Sequence, residues 1–214
     1  MTTFLLRMLG RKDQRLSRIL TTGLLIACAP AIASQDKEST PGLLLGGSFE
    51  RMPVQRFLPG ARRTVLFPTR IGRHGEIKPI QGDSALSDAS WDSFLKKSRE
   101  RAGLILATIE PRMIRDARGV IQMAVISRDD PMTASCILAP GFLQRFSAIF
   151  GPELIVAIPA RNKIYIFPKL ANRLPDISRT ITDDYLISPM PVSTELFEIS
   201  KKGIRAVGDI DPNG

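Results

Sequence analysis

Apolar residues between positions 87 and 207 alternate between helical spacing and the short β-branched runs that are typical of strands. The helical spacing predicts three helices, with Ser87 as the N-cap of the first and Gly103 as its end. Pro140 either kinks the second helix or begins it, because a first turn tolerates proline and a helix interior does not. The three apolar stripes are Trp91, Phe94, Leu95 and Ala102; Leu138, Phe142, Phe146, Ile149 and Phe150; and Leu174, Ile177, Ile181 and Tyr185.

Each helix is followed by two strand-like runs that predict a hairpin. The three pairs are Leu104–Ile109 with Val120–Ile126, Leu154–Ile158 with Ile164–Phe167, and Leu196–Ile199 with Ile204–Val207. Their turns centre near residues 117, 161 and 202, so a helix–hairpin unit of about 40 residues would occur three times. About six strands with three helices between them predict an α+β fold built on a largely antiparallel sheet. No glycine-rich phosphate loop follows a predicted strand, which argues against a nucleotide-binding fold.

Residues 34–85 have the composition of a basic, Pro- and Gly-rich linker that precedes a single α+β domain at 86–210. Only Thr64–Phe67 is predicted to form a short strand in this segment. The residues that would break a longer element are Pro41, Gly42, Gly46, Gly47, Pro53, Pro59, Gly60 and Pro68.

Residues 1–33 have the three parts of an export signal. A basic region is followed by an uncharged stretch, Ile19–Ala33, which ends in small residues. This stretch is 15 residues long and contains Pro30, whereas a membrane-spanning helix needs about 20 apolar residues. The pattern therefore favours export and cleavage over an uncleaved membrane anchor.

Two cleavage sites compete in this segment. Ala31–Ala33, before Ser34, suits ordinary signal peptidase, whereas Leu25–Cys28 resembles the bacterial lipobox, in which the cysteine is lipidated and becomes the first residue. Cys28 is therefore a candidate lipid-attachment site, and the mature chain would be periplasmic or a membrane-anchored lipoprotein. The start is open too, since Met8 would give a more usual signal length than Met1.

The net charge of +9 is concentrated near the N-terminus. Residues 51–78 contain seven basic residues and one acid, whereas residues 79–214 contain 17 basic and 16 acidic residues. Arg62 and Arg63 in the basic segment are candidates for contacts with anionic lipid or a cell-wall polymer, because an exposed basic residue contributes about 1 kcal/mol near an anionic surface. No nucleic-acid partner is expected, because the excess charge lies outside the predicted domain.

Side chains suited to metal binding or catalysis are few. Two cysteines and one histidine are too few for a Cys₄ or Cys₂His₂ zinc site or a disulfide framework, and no cofactor, metal or catalytic residue is predicted. His74 lies beside a glycine in the predicted linker, where nothing would hold it as the base of a catalytic triad. Cys136 is expected to be a buried, unreactive thiol at the start of an apolar helix.

Two polar pairs are the candidates within the domain for contacts with an anion or a partner. Arg161 and Asn162 occupy a predicted turn, where turn geometry also accounts for the asparagine. Asp183 and Asp184 lie toward the end of the third predicted helix, where the helix dipole disfavours acids. Adjacent helical residues point about 100° apart, so these carboxylates are not expected to converge as an acid–base pair.

Two stretches resemble the YtpQ-like family of uncharacterised bacterial proteins. They are Asp129–Pro140, with the run Ala134-Ser135-Cys136-Ile137-Leu138-Ala139-Pro140, and Leu154–Asn162, which ends in Pro159-Ala160-Arg161-Asn162. In that family an Ala-Ser-x-x-Leu-x-Pro run precedes a helix, and a strand ending in Pro-x-Arg-Asn/Asp follows. Pro191–Phe197 is similar to the start of the family's last strand, so the resemblance covers about residues 87–207. The family has no established activity, so the resemblance implies a domain and no particular reaction, and the export signal departs from its typical soluble members.

These observations favour an exported bacterial envelope protein whose domain binds a partner, such as another protein, without catalysing a reaction. The periodic apolar positions are all used for packing, and no polar cluster has the spacing of a catalytic site. The alternative is a periplasmic hydrolase whose serine or carboxylate residues come together only in the fold. An apolar groove would favour binding, whereas a perturbed acid beside a serine in a pocket would favour the hydrolase.

Overall fold

Ten strands in two antiparallel sheets and three α-helices form the part of the chain that the structure, a computed structural model, describes: residues 39–80, 87–170 and 174–210. These residues belong to one compact unit, Lys37–Gly214. The predicted α+β class is confirmed. The predicted export signal, with Cys28, lies outside the described residues. Within the described ranges, no helix is both long and apolar enough to span a membrane.

The segment predicted to be a linker forms an antiparallel sheet, here called the N-terminal sheet. Its strands are β1 (Thr40–Gly47), β2 (Arg56–Phe57), β3 (Thr64–Ile71) and β4 (Ile77–Pro79), and β3 pairs with the other three. The prediction of at most one short strand over 34–85 is therefore wrong. Its glycines make room for neighbours instead of ending the strand: a β-carbon at Gly46 would come 2.5 Å from the Phe67 ring.

The second sheet, here called the C-terminal sheet, contains the predicted hairpins. Its strands are β5 (Arg112–Arg115), β6 (Ile121–Ser127), β7 (Leu154–Ala160), β8 (Lys163–Pro168), β9 (Glu195–Ser200) and β10 (Gly203–Asp209). Their order across the sheet is β10-β9-β7-β8-β6-β5, with antiparallel pairs throughout. The second and third hairpins lie where the sequence predicts them. In the first hairpin β6 has its predicted place, but its partner is β5 and not the run 104–109.

Three helices cover the two faces of the C-terminal sheet. They are α1 (Asp88–Ala107), α2 (Phe142–Phe150) and α3 (Leu174–Ile187). Ser87 caps α1 as predicted, accepting the N–H group of Ser90 at 3.3 Å, and α2 begins after Pro140 instead of being kinked by it. Both α1 and α2 pack into a core that also contains β1 and one face of the C-terminal sheet, whereas Ile181 of α3 packs on the other face. The three helix–hairpin units therefore follow one another along the chain but place their helices differently.

The predicted strand Leu104–Ile109 is wrong because α1 continues through Gly103 as far as Ala107. The C-terminal end of α1 contacts another helix. Arg145 of α2 donates hydrogen bonds to the carbonyl groups of Leu106 and Ile109. The Leu106 carbonyl also accepts the N–H of Ile109 at 3.2 Å, and the helix dipole favours a cation near this end of the helix. Arg145 therefore attaches the C-terminal end of α1 to α2.

Cys136 is expected to resist alkylation in the folded protein. Its side chain is 0% exposed, and burial raises the pKa of the thiol to about 12, so almost no thiolate is present at neutral pH. Iodoacetamide at pH 8 should leave the Cys136 peptide unmodified until denaturant is added, which peptide mass mapping would show. Alkylation of the native protein at the rate of the unfolded chain would contradict this burial.

Candidate ligand groove

The predicted turn residues Arg161 and Asn162 lie between β7 and β8, and Arg161 connects the two sheets. Its Nε donates to the Leu45 carbonyl at 3.1 Å, and its guanidinium forms an ion pair with the Glu50 carboxylate. Its Cζ lies 5.0 Å from the centre of the Phe67 ring, and 16% of its side chain is exposed. Partners within the protein therefore occupy the charge, the planar face and two of the three donor nitrogens of Arg161.

Arg62 and Arg63 lie just before β3, where their backbone binds a side chain of β9. The carboxylate of Glu195, a residue that is 5% exposed, accepts three successive N–H groups. They belong to Arg62 (2.6 Å), Arg63 (3.2 Å) and Thr64 (2.9 Å), and the Thr64 hydroxyl donates to the same carboxylate at 2.7 Å. Successive N–H groups of this kind form an anion-binding nest. Glu195 fills the nest and thereby joins the N-terminal sheet to the C-terminal sheet.

Asp183 and Asp184 point in different directions, as adjacent residues on a helix do. Asp183 is exposed, whereas Asp184 accepts a hydrogen bond from Lys163 at 2.7 Å and another from the Tyr165 hydroxyl. Burial, with a smaller contribution from the bond to Asp184, raises the pKa of Tyr165 above its usual value. The structure therefore gives Asp184 a role in attaching α3 to β8 and leaves Asp183 toward solvent.

An apolar groove of about 760 Å³ opens between the N-terminal sheet, α1 and the β9–β10 hairpin. This volume lies within the range of about 300–1,000 Å³ that is common for ligand sites. Its floor includes Leu58, Leu66, Trp91, Leu95, Ile137 and Phe142. Trp91, which is 6% exposed and has the guanidinium of Arg56 4.6 Å from its ring centre, is the only tryptophan of the chain. Its fluorescence therefore reports on the groove.

Two of the basic residues that line the groove are neutralised by carboxylates outside it. Arg56 is paired with Asp88 at 2.7 Å, and Arg205 with Glu198 at 3.0 Å. Hydrogen bonds from Lys169 and then from Arg205 hold the pKa of the Glu198 carboxyl below its usual value. These two arginines are therefore poor candidates for neutralising a ligand's charge.

Three further basic residues, here called the cationic rim, are Arg99, Lys201 and Lys202. All three are exposed, and none forms an ion pair with another described residue. The lining of the groove, as far as the structure describes it, contains no carboxylate. The groove therefore places unpaired positive charge beside an apolar floor.

This groove could not be predicted from the sequence, because its walls come from segments that are distant along the chain. Residues 56–59 belong to the segment predicted to be a linker, α1 provides a second wall, and residues 199–205 form part of the third predicted hairpin. The sequence signal that points to this site is the pair Lys201-Lys202, because a tight turn does not require two adjacent lysines. The sequence alone does not show that the folded N-terminal sheet places an apolar surface beside these two lysines.

The stretches that carry the YtpQ-like resemblance meet around the β7–β8 turn. Ala134 donates its N–H to the Arg161 carbonyl at 2.7 Å, and Val192 donates to the Pro159 carbonyl at 2.8 Å. These contacts bring the three stretches together, and residues 137–140 of the first stretch also line the groove. Comparison with family models, curated proteins and solved structures finds no match to this chain.

Proposed function

We propose that this chain is a non-catalytic binding domain of the bacterial cell envelope, whose groove takes a partner with an apolar portion and a negative charge. The observation that carries the proposal is the cationic rim beside the apolar floor. Unpaired cations next to desolvated apolar surface are complementary to an anionic group attached to an apolar body.

The chemistry of the lining supports binding over hydrolysis. Ser200 lines the groove, and its hydroxyl accepts the N–H group of Lys202 at 3.2 Å. Activation of a serine requires a base within hydrogen-bond distance. Among the described lining residues, no basic side chain or carboxylate is hydrogen-bonded to the Ser200 hydroxyl, although Lys201 and Lys202 are its neighbours in sequence.

The basic segment 51–78 supports a second contact, with anionic lipid or a cell-wall polymer. Arg70 of β3 and Lys78 of β4 are cross-strand partners, and both are exposed. Like charges placed opposite each other on two strands repel, and a bound anionic surface would relieve that repulsion. Periplasmic or lipoprotein localisation belongs to the same proposal and depends on residues 1–33, including Cys28.

Binding of 8-anilinonaphthalene-1-sulfonate, an aromatic anion, is expected to be saturable and to quench Trp91 by energy transfer. Removing two rim charges with Lys201→Ala/Lys202→Ala should weaken binding about tenfold, at about 0.5–1 kcal/mol for each exposed charge pair. The neutral analogue N-phenyl-1-naphthylamine should bind the variant and the original protein equally. Fluorescence titration measures all four affinities.

The matched control is Lys97→Ala/Arg118→Ala, which removes two exposed positive charges outside the groove. It should bind the sulfonate as the original protein does. Equal weakening by the control and rim variants would show that net charge, and not the groove, attracts the probe. Absence of saturable binding would overturn the proposed function.

A further inference from the structure

The groove lies between two strand edges. In the order β1-β3-β2, strand β2 is an edge of the N-terminal sheet, and β10 is an edge of the C-terminal sheet. The segment just after β2 contacts the edge of β10, because Ala206 donates its N–H to the Pro59 carbonyl at 2.8 Å. On one side of this contact the groove is lined by residues 56–59 and 199–205, and on the other side a second depression is lined by 60–63 and 206–209. Residues 56–63 and strand β10 therefore run in the same direction and meet at the contact between Pro59 and Ala206.

The edge of β10 presents unpaired backbone groups to the groove. Successive residues of a strand direct their N–H and C=O groups to opposite sides. Because Ala206 directs its N–H away from β9, Ile204 directs its N–H and C=O to the same open side. The register of β9 and β10 is regular from Gly203 to Ala206, and the bulge comes only after Ala206. Within the described part of the chain, the backbone of Ile204 has no partner on that side.

The open edge of β10, the apolar floor and the cationic rim lie close enough together for one extended peptide to contact all three. Ile204 lines the groove, and the Lys201-Lys202 turn lies immediately before β10. Phe57, with 51% of its surface exposed, stands on the β2 wall. An added strand sends alternate side chains to opposite sides, so one set would contact the floor while its neighbours remained near the rim.

We propose that the partner is an extended acidic peptide, which adds to β10 as a further strand. This inference rests on the proposed function, because it names the occupant of the same groove. The peptide backbone bonds to the N–H and C=O of Ile204, apolar side chains enter the floor, and a carboxylate pairs with Lys201, Lys202 or Arg99. An acyl chain with an anionic head group would pair with the cationic rim and contact the apolar floor. It has no groups that pair with the backbone of a strand edge.

The test uses backbone amide exchange, followed by NMR, in the full chain. The Ile204 amide should exchange about 100-fold faster than the Ala206 amide, which is bonded to Pro59. The probe is a pool of acetylated pentapeptides in which Leu, Val or Phe alternates with Asp or Glu. A peptide that binds should slow exchange at Ile204 about tenfold or more and leave Ala206 as it was. Dodecanoate, an acyl anion without amides, should leave exchange at Ile204 unchanged.

N-methylation of the peptide separates strand addition from simple coverage. Methylating one peptide nitrogen should weaken binding about tenfold, while methylating the adjacent nitrogen should have little effect, because only alternate amides face β10. Equal effects at both nitrogens would overturn strand addition. If dodecanoate or the naphthalene sulfonate binds and no peptide does, the groove takes an amphiphile and the peptide inference fails alone. If none of these probes binds, the proposed function fails with it.

Discussion

Replacing Glu195 with alanine is expected to lower the free energy of unfolding by about 3–5 kcal/mol. The substitution removes the acceptor from three successive backbone N–H groups, those of residues 62–64, and from the Thr64 hydroxyl. These donors lie at the junction of the two sheets, where Glu195 is almost fully buried. Unpaired donors at a buried junction cost more than the net value of the hydrogen bonds they formed. Urea unfolding followed by circular dichroism measures the difference.

Two further variants identify the cause of that loss. Glu195→Gln keeps one acceptor oxygen and should lose about half as much stability as the alanine variant, because its amide NH₂ faces donors. Glu153→Ala is the matched control, since its carboxylate is 45% exposed and pairs with Lys169 on the surface. It should cost less than about 1 kcal/mol. A Glu195→Ala variant as stable as the control would mean that the nest does not hold the sheets together.

Sequence signals within a short segment were sufficient to predict those elements that depend mainly on that segment. The β7–β8 and β9–β10 hairpins and α3 could be predicted because apolar spacing, turn residues and strand propensity agree within each segment. The end of α1 could not be predicted, because the helix continues past Gly103 to a last turn that contacts Arg145 of another helix. Intrinsic propensity is a weak prior that tertiary contacts readily change.

The N-terminal sheet could not be predicted because its stabilising partners are distant along the chain. Glu195 lies 133 residues from Arg62, and Arg161 lies 116 residues from the Leu45 carbonyl that it binds. The composition predicts a linker because prolines and glycines usually interrupt strands. It does not show which residues pack against them. The groove shares this cause: one of its walls exists only when the segment is folded against the C-terminal sheet.

Replacing Arg161 with alanine is expected to lower the free energy of unfolding by about 2–4 kcal/mol. The variant would leave the Glu50 carboxylate, which is 18% exposed, without its cation and the Leu45 carbonyl without its donor. Arg161→Lys should recover only part of the loss. Lysine retains the charge but not the planar group that lies over Phe67 while it bonds to two acceptors.

A double-mutant cycle distinguishes this internal role from the predicted contact with a partner. If the pair is internal, Arg161→Ala and Glu50→Gln together should cost about 1–3 kcal/mol less than the sum of the two single changes. Arg128→Ala, an exposed arginine near the same turn, should change stability by less than about 1 kcal/mol. Binding of the naphthalene sulfonate should be unchanged in the folded Arg161→Ala protein, because Arg161 is not among the residues that line the groove. Additive stability losses with weakened probe binding would instead place Arg161 at a ligand site.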